Sequence, residues 1–463
     1  MNKFNAFTFA IFCGFVTACS QTQVETTSTV ALPAAYDYAP QGQAVDLTHW
    51  WRQWQDPQLN RLIEQALANN LDIAIAKKRL QEAQAQYQGA EADQGIYVGV
   101  DGKIAASSSD LNSGLSNPKS SQSLGGLGGL SVSWEPDFFG QKQSDSDAAF
   151  HQSQSVQAQL YAAKLLIAAQ VAENYLDWHA SEQQRQLLAN QHKVLQQLQR
   201  YVQGRFNAGQ ATAYNLNEIV LKITALEAQQ ATLQAQAVGF QQKIAILLGT
   251  PPQQFRLTAQ GNPLAKIPNA PAGEQPQSLL ERRPDLLAKG AQLKALAAKL
   301  ASAKADLLPR FDLRFLGQGG RLELNNDLSH LSGLSNLISL GVQLPLFTNG
   351  RIDANIAAAD ARLQAAVLDY DKTLLQALAE VDSAYHLQMG LVTQTQRLNK
   401  AVQQAKQHAI DSEKLFKHGE KTLDTALDAQ LTALNQQQQR LQSQRQTAKN
   451  LIGLYKALGG GWE

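Results

Sequence analysis

Six glycines fall into three pairs with one spacing. "WEPDFFG" ends at Gly140 and "LPLFTNG" at Gly350; "RFNAG" ends at Gly209 and "LFKHG" at Gly419; "ILLG" ends at Gly249 and "KALG" at Gly459, and each pair stands 210 residues apart. Tyr175 maps onto Tyr385 by the same shift, and the register holds without a gap from Gly140 to Gly249. Earlier, "AEAD" (Ala90–Asp93) matches "AKAD" (Ala303–Asp306) at an offset of 213, so the copies differ in length between Asp93 and Gly140. Self-similarity at a fixed period marks a duplicated structural unit. The chain therefore reads as two copies of one plan.

Each copy runs through the same series. A moderate helix comes first, over 59–94 and again 278–307. Strand signals follow, then a very long helical pattern over 141–207 and 351–417. After a glycine break a second helix covers 210–248 and 420–458. Each long helix would reach roughly 100 Å at 1.5 Å per residue. Ile219, Leu226, Leu233, Phe240 and Leu247 recur every seven residues, as do Leu187, Val194 and Tyr201 beside Leu188, Leu195 and Val202. That period predicts left-handed supercoiling. Intervening Ala lets helices approach closely and Gln solvates them without charge; helices this long argue against a compact bundle. "GTPPQQFRLTAQGNPLAKIPNAPAGEQPQ" between the copies is a Pro- and Gly-rich linker. The divisions are thus 1–18, 19–58, a first repeat at 59–249, a linker at 250–277, a second repeat at 278–458 and a tail at 459–463.

In "GGLSVSWEP", Leu130, Val132 and Trp134 alternate with Ser131 and Ser133; in "LISLGVQLP", Leu340, Val342 and Leu344 alternate with Gly341 and Gln343. Period-two alternation predicts strands with one apolar and one polar face. "GIYVGVDGKIAAS" and "RFDLRFLGQ" supply a partner for each, making two hairpins. Apolar-out, polar-in strands of about ten residues suit a transmembrane barrel; the same alternation also fits a soluble sheet packed on helices. Four strands cannot close around an aqueous lumen, so a barrel would pool strands from about three subunits.

The N-terminus reads "MNKFNAFTFAIFCGFVTACSQ": Lys3, an apolar run too short to span a bilayer, then small residues before Cys19. It predicts an export signal at 1–18. "VTAC" resembles a bacterial lipobox, whose cysteine becomes the acylated first residue; an ordinary signal with an incidental cysteine is the alternative. Ser20 after Cys19 favours, by resemblance to bacterial lipoproteins, the outer membrane. With Cys13 and Cys19 the only cysteines, no disulfide framework exists. A formal net charge of +1 implies no general attraction to nucleic acid.

Together, "WWRQWQDPQLNRLIEQALANNLDIAIAKKRLQEA" (Trp50–Ala83), the repeated glycine-flanked helix pairs, "LDAQ" at Leu427 and the tail "LYKALGGGWE" resemble the outer membrane factor family of efflux and export channels, in its OprM- and NodT-like lipoprotein branch, related to TolC. The resemblance covers nearly the whole mature chain. It implies an α+β membrane protein: a homotrimer with a twelve-stranded β-barrel in outer-membrane lipid, continued by a long α-helical coiled-coil barrel in the periplasm, with residues 19–58 as leader and equatorial segment. It implies a periplasmic adaptor and an inner-membrane pump as partners, and a closed tip that opens on docking. In the family, acidic residues after the tip turn ring the constriction. The commonest falls nine residues after the glycine, at Asp428. A second, six after, falls on Thr425, a departure for which Asp424 one residue earlier can substitute. Lys421 matches a basic position that ties neighbouring hairpins shut, and Glu218 is the first-repeat counterpart of Asp428. Taken alone, Asp424 and Asp428 also fit solvated acids favoured by a helix start.

No H-E-x-x-H, G-x-S-x-G or P-loop pattern occurs, and the eight histidines are scattered. "LGGLGGL" (Leu124–Leu130) leads into a strand, without phosphate-cradle context. Only Met1 and Met389 are methionines, so no methionine relay for copper is present. The expectation is a passive outer-membrane exit duct for drugs or other small toxic compounds, with no enzymatic activity and no cofactor. A duct for protein secretion, or a periplasmic coiled-coil scaffold lipoprotein, are the alternatives.

Overall fold

A computed structural model describes residues 28, 30–43, 45–111, 119–324 and 330–462. The export signal and Cys19 lie outside the described residues. After a 3₁₀ turn at Trp50–Trp54, Asp56 starts α1 (Pro57–Asn69). The Asp56 carboxylate accepts from the backbone N–H groups of Gln58 and Leu59, and Pro57 fills the position where no N–H is needed. There follow α2 (Leu71–Ala92), β1 (Tyr97–Leu111), β2 (Lys119–Trp134), α3 (Gln141–Asn207) and α4 (Ala213–Leu247). Then come α5 (Leu279–Arg282), α6 (Pro284–Ala305), β3 (Arg310–Leu324), β4 (His330–Gln343), α7 (Arg351–Lys417) and α8 (Leu423–Ala457). Helices α2 and α6 both have 22 residues, α3 and α7 both 67, α4 and α8 both 35. The two longest occupy the spans their patterns mark.

The first helix of each copy is broken, where one continuous helix was expected. Asn70 leaves helical geometry at ψ 134°, and its side-chain oxygen accepts from the N–H groups of Asp72 and Ile73. It therefore ends α1 and caps α2. In the second copy Arg283 is extended at ψ 116° because Pro284 follows it. The helices after Gly209 and Gly419 begin at Ala213 and Leu423, later than the pattern implied. Both glycines are left-handed, at φ 73° and 77°. The next N–H in each case reaches back to close the helix end, Gln210 to the Arg205 carbonyl at 2.8 Å and Glu420 to the Leu415 carbonyl at 2.9 Å. Thr212 and Thr422 then sit extended as N-caps, so no helix can start before them.

The chain divides into two compact units, one drawn from residues 81–155 and 289–370, the other from 29–80, 156–288 and 371–463. The first holds a four-stranded antiparallel sheet in the order β1-β2-β3-β4. Its register puts Val98, Val132, Phe315 and Ile338 in one row across all four strands. Trp134, Leu313 and Leu340 form another row of the same face, and Val100 and Leu130 a third pair. Most of these are solvent-exposed in the single chain, Val100 at 84% and Ile338 at 74%, so the face has no covering layer among the described residues. The opposite face carries Tyr97, Ser133, Arg314 and Ser339 in one row and Asp101, Gly129, Gln318 and Ser335 in another, interrupted by Leu127, Leu316 and Leu337. Where the strands meet helices, the Phe138 and Phe311 rings meet edge to face at 5.3 Å, and Gln141 donates to Asp306 at 2.8 Å. Leu293, Leu300, Ala359 and Leu363 form this unit's helical core.

The second unit is helical. Of the two heptad stripes on α3, the buried one is Leu188, Leu195 and Val202; it packs on Ile219, Leu226 and Leu233 of α4. Trp50 stacks on Tyr455 at 5.2 Å, and Trp462 stacks on Tyr161 at 4.3 Å. Tyr175 donates to the Asp56 carboxylate at 2.9 Å, while Tyr385 donates to the Pro271 carbonyl at 3.0 Å. The equivalent tyrosines thus both fix linking segments, by different acceptors.

Candidate functional site at the start of the last long helix

The turn His418–Thr422 joins α7 to α8, and Asp424 lies in the first turn of α8. What orients the carboxylates is packing one residue away. Leu427 is buried against Leu198, Val202 and Ile219, with Leu423 alongside. Ala429 and Ala433 close on Ala409 of α7. With those faces committed, Asp424 and Asp428, one turn apart, share the remaining direction.

Asp424 is half-buried, and its Oδ1 is shielded from solvent with no hydrogen-bond partner among the described residues. The positive end of the α8 dipole favours a carboxylate there. Asp428 faces a groove lined also by Gln191, Leu195, Lys222, Leu226, Leu431 and Thr432. Partial desolvation raises its carboxyl above the ordinary aspartate range; the Lys222 ammonium acts against that, and Asp424 and Glu218 push it further up. Glu218 holds Lys222 at 2.8 Å.

The predicted residues are therefore only partly assembled within one chain. Asp424 and Glu218 both act on Asp428. Lys421 is exposed on the turn, and its ammonium forms no ion pair among the described residues. Sequence reasoning missed Lys222, although it stands four residues after Glu218, the same spacing that singles out Asp424 and Asp428. It also missed Asp177, which is buried and takes both Arg445 at 2.6 Å and Lys449 at 3.0 Å. Among the described residues there is no cluster of metal-ligating side chains, and no helix is long and apolar enough to cross a membrane.

A sequence model of the outer membrane efflux protein family matches residues 62–250 and again 275–460. The chain belongs to that family. It is an outer-membrane channel component of an efflux system. The pyoverdine export outer membrane protein OpmQ of Pseudomonas putida is 29% identical over 458 residues, covering 96% of this chain and 95% of that one. The cation efflux system protein CusC of Escherichia coli K12 is 28% identical over 423 residues, covering 89% and 88%. The solved outer-membrane channel OprN superposes with a TM-score of 0.83 over 96% of this chain and all of its own, at 23% identity, which speaks to the fold. In this efflux protein the mix of very long helices with two hairpins is thus that of the outer-membrane channels.

Proposed function

We infer that this protein is the passive exit duct of a tripartite efflux system, assembled as a trimer and opened by a periplasmic adaptor with an inner-membrane pump. The observation that carries this reading is the sheet. Its four strands present one apolar face without cover and leave β1 and β4 as open edges. Such a sheet is too narrow to enclose water and too apolar on one side to stand in it. Three copies joined edge to edge make twelve strands, with the apolar face toward lipid and the polar face toward a lumen. The equal helix lengths of the two halves support one duplicated plan, 59–249 and 278–458 about the 250–277 linker, so that three chains give six quasi-equivalent helix pairs around one tunnel.

The same reading makes Asp424 and Asp428 a ring at the periplasmic constriction, three copies of each. Carboxylate rings select cations. Lys421, on the turn and without an ion-pair partner among the described residues, ties neighbouring hairpins shut. The transported class is drugs or other small toxic compounds chosen by the pump; the relatives' names, one for pyoverdine export and one for cation efflux, support a duct that does not itself choose. Cys19 carries the lipid anchor.

Purified trimers in a planar bilayer under a salt gradient test the ring. The wild type should show a cation-selective reversal potential that falls toward zero in Asp424→Ala/Asp428→Ala, and Lys421→Ala should raise resting conductance. An unchanged reversal potential in the double variant removes these carboxylates from the constriction.

A further inference from the structure

We propose that Lys222 is a selectivity-determining residue: the intrachain counter-ion that Glu218 shares with Asp428, setting how strongly the constriction draws cations. This rests on the reading of the two aspartates as pore-lining.

The two copies differ where they would otherwise match. In the first, the acid Glu218 is followed four residues later by Lys222, and the two pair at 2.8 Å. In the second, the acid Asp428 is followed four residues later by Thr432, whose hydroxyl is used locally, donating to the Asp428 backbone carbonyl at 2.9 Å. Helix α8 therefore brings no lysine of its own to Asp428. The ammonium on the far side of the shared groove is that of Lys222. Its effect reaches Asp428, where it opposes the upward push of desolvation, Asp424 and Glu218.

The balance of charge follows. Three carboxylates against one ammonium leave two negative charges per chain when all are ionised. The groove has about 580 Å³ of open space, against roughly 30 Å³ per water molecule. The groove has room for water, so Lys222, in direct contact with the half-exposed Glu218, acts on Asp428 across solvent-filled space and leaves the cluster negative. A tight dry ion pair would instead have silenced one acid. Lys421 is a poor substitute: it projects from the turn with no ion pair among the described residues.

The test compares reversal potentials of trimers in a planar bilayer under a KCl gradient, with added La³⁺ as a multivalent blocker. Lys222→Gln should raise the cation-to-anion permeability ratio by about twofold or more, as expected for one solvent-screened charge beside a narrow passage, and should sharpen block by La³⁺. Lys222→Arg should restore the wild-type ratio, and the Lys222→Gln effect should shrink in an Asp428→Ala background. A Lys222→Gln channel with the wild-type reversal potential, while Asp424→Ala/Asp428→Ala shifts it, overturns the role of Lys222 and leaves the ring standing. If neither variant shifts it, the ring itself fails and the role of Lys222 with it. A merely structural Lys222 would lower trimer stability without moving the reversal potential.

Discussion

His179 is a single side chain whose chemistry the sequence hides. It lies on α3 with only 2% of its surface exposed, edge-on to Tyr175 and Trp178, and its Nε2 has no hydrogen-bond partner among the described residues. Burial lowers its pKa from 6.5 to about 4, outweighing the opposite pull of Asp56 and Glu182. The folded value lies below the unfolded one. Its stabilising neutral state is thus fully present above pH 6.5 and is lost as the pH falls toward 4, a linkage on the order of 3 kcal/mol. Thermal unfolding of detergent-solubilised protein at pH 7.5 and pH 5 should show a smaller acid-induced drop in His179→Leu than in the wild type; equal drops would show that His179 is not what acid attacks. Nothing in the sequence marks this residue, since the 210-residue shift puts Met389 opposite it. Asp428 was legible for the converse reason: a glycine with a fixed backbone requirement lies nine residues before it. Lys222 was not, because whether a lysine paired on its own helix also acts on an acid across a groove depends on which helices pack together.

At the scale of elements, alternation in the strands was legible because the side-chain period of two is local. The register was not, and it is the register that lines up Val98, Val132, Phe315 and Ile338. A slip of one residue would carry every one of them to the other face. Cysteine scanning tests the faces. Single cysteines at Val132 and Val342 should resist a water-soluble thiol reagent in the assembled membrane protein, and those at Ser131 and Gln343 should react; equal labelling would reject the assignment. Val132→Arg should cost about 2–4 kcal/mol near the bilayer midplane, and Ser131→Arg little. In the helices, the seven-residue pattern gave the long spans but not the breaks at Asn70 and Arg283. Those are decided by one side-chain cap and one proline, which periodicity does not register.

For the whole molecule, the proposed lipid attachment at Cys19 offers a direct prediction. Radioactive palmitate should label the wild type and not Cys19→Ala; undiminished labelling would remove the lipid anchor. The proposed barrel should by itself still hold the variant in the membrane, since an acyl chain adds a second, weaker attachment. The broad architecture was legible because the order of elements is written twice in the sequence, whereas the proposed trimer rests on the apolar face and strand edges that one chain leaves uncovered. One further consequence lies in the middle of the sheet. Each hairpin pairs neighbours in sequence, but β2 ends at Trp134 and β3 begins only at Arg310. The central seam thus waits for the second half of the chain, and its closure joins segments separated by two long helices. Pairings this distant are slow to form. Until the seam zips, each hairpin carries an apolar face and unpaired edges, a form in which strands aggregate. Closing the β2–β3 seam therefore removes two of the four unpaired edges and leaves those of β1 and β4, so escorts that shield nascent strands matter most before the seam closes.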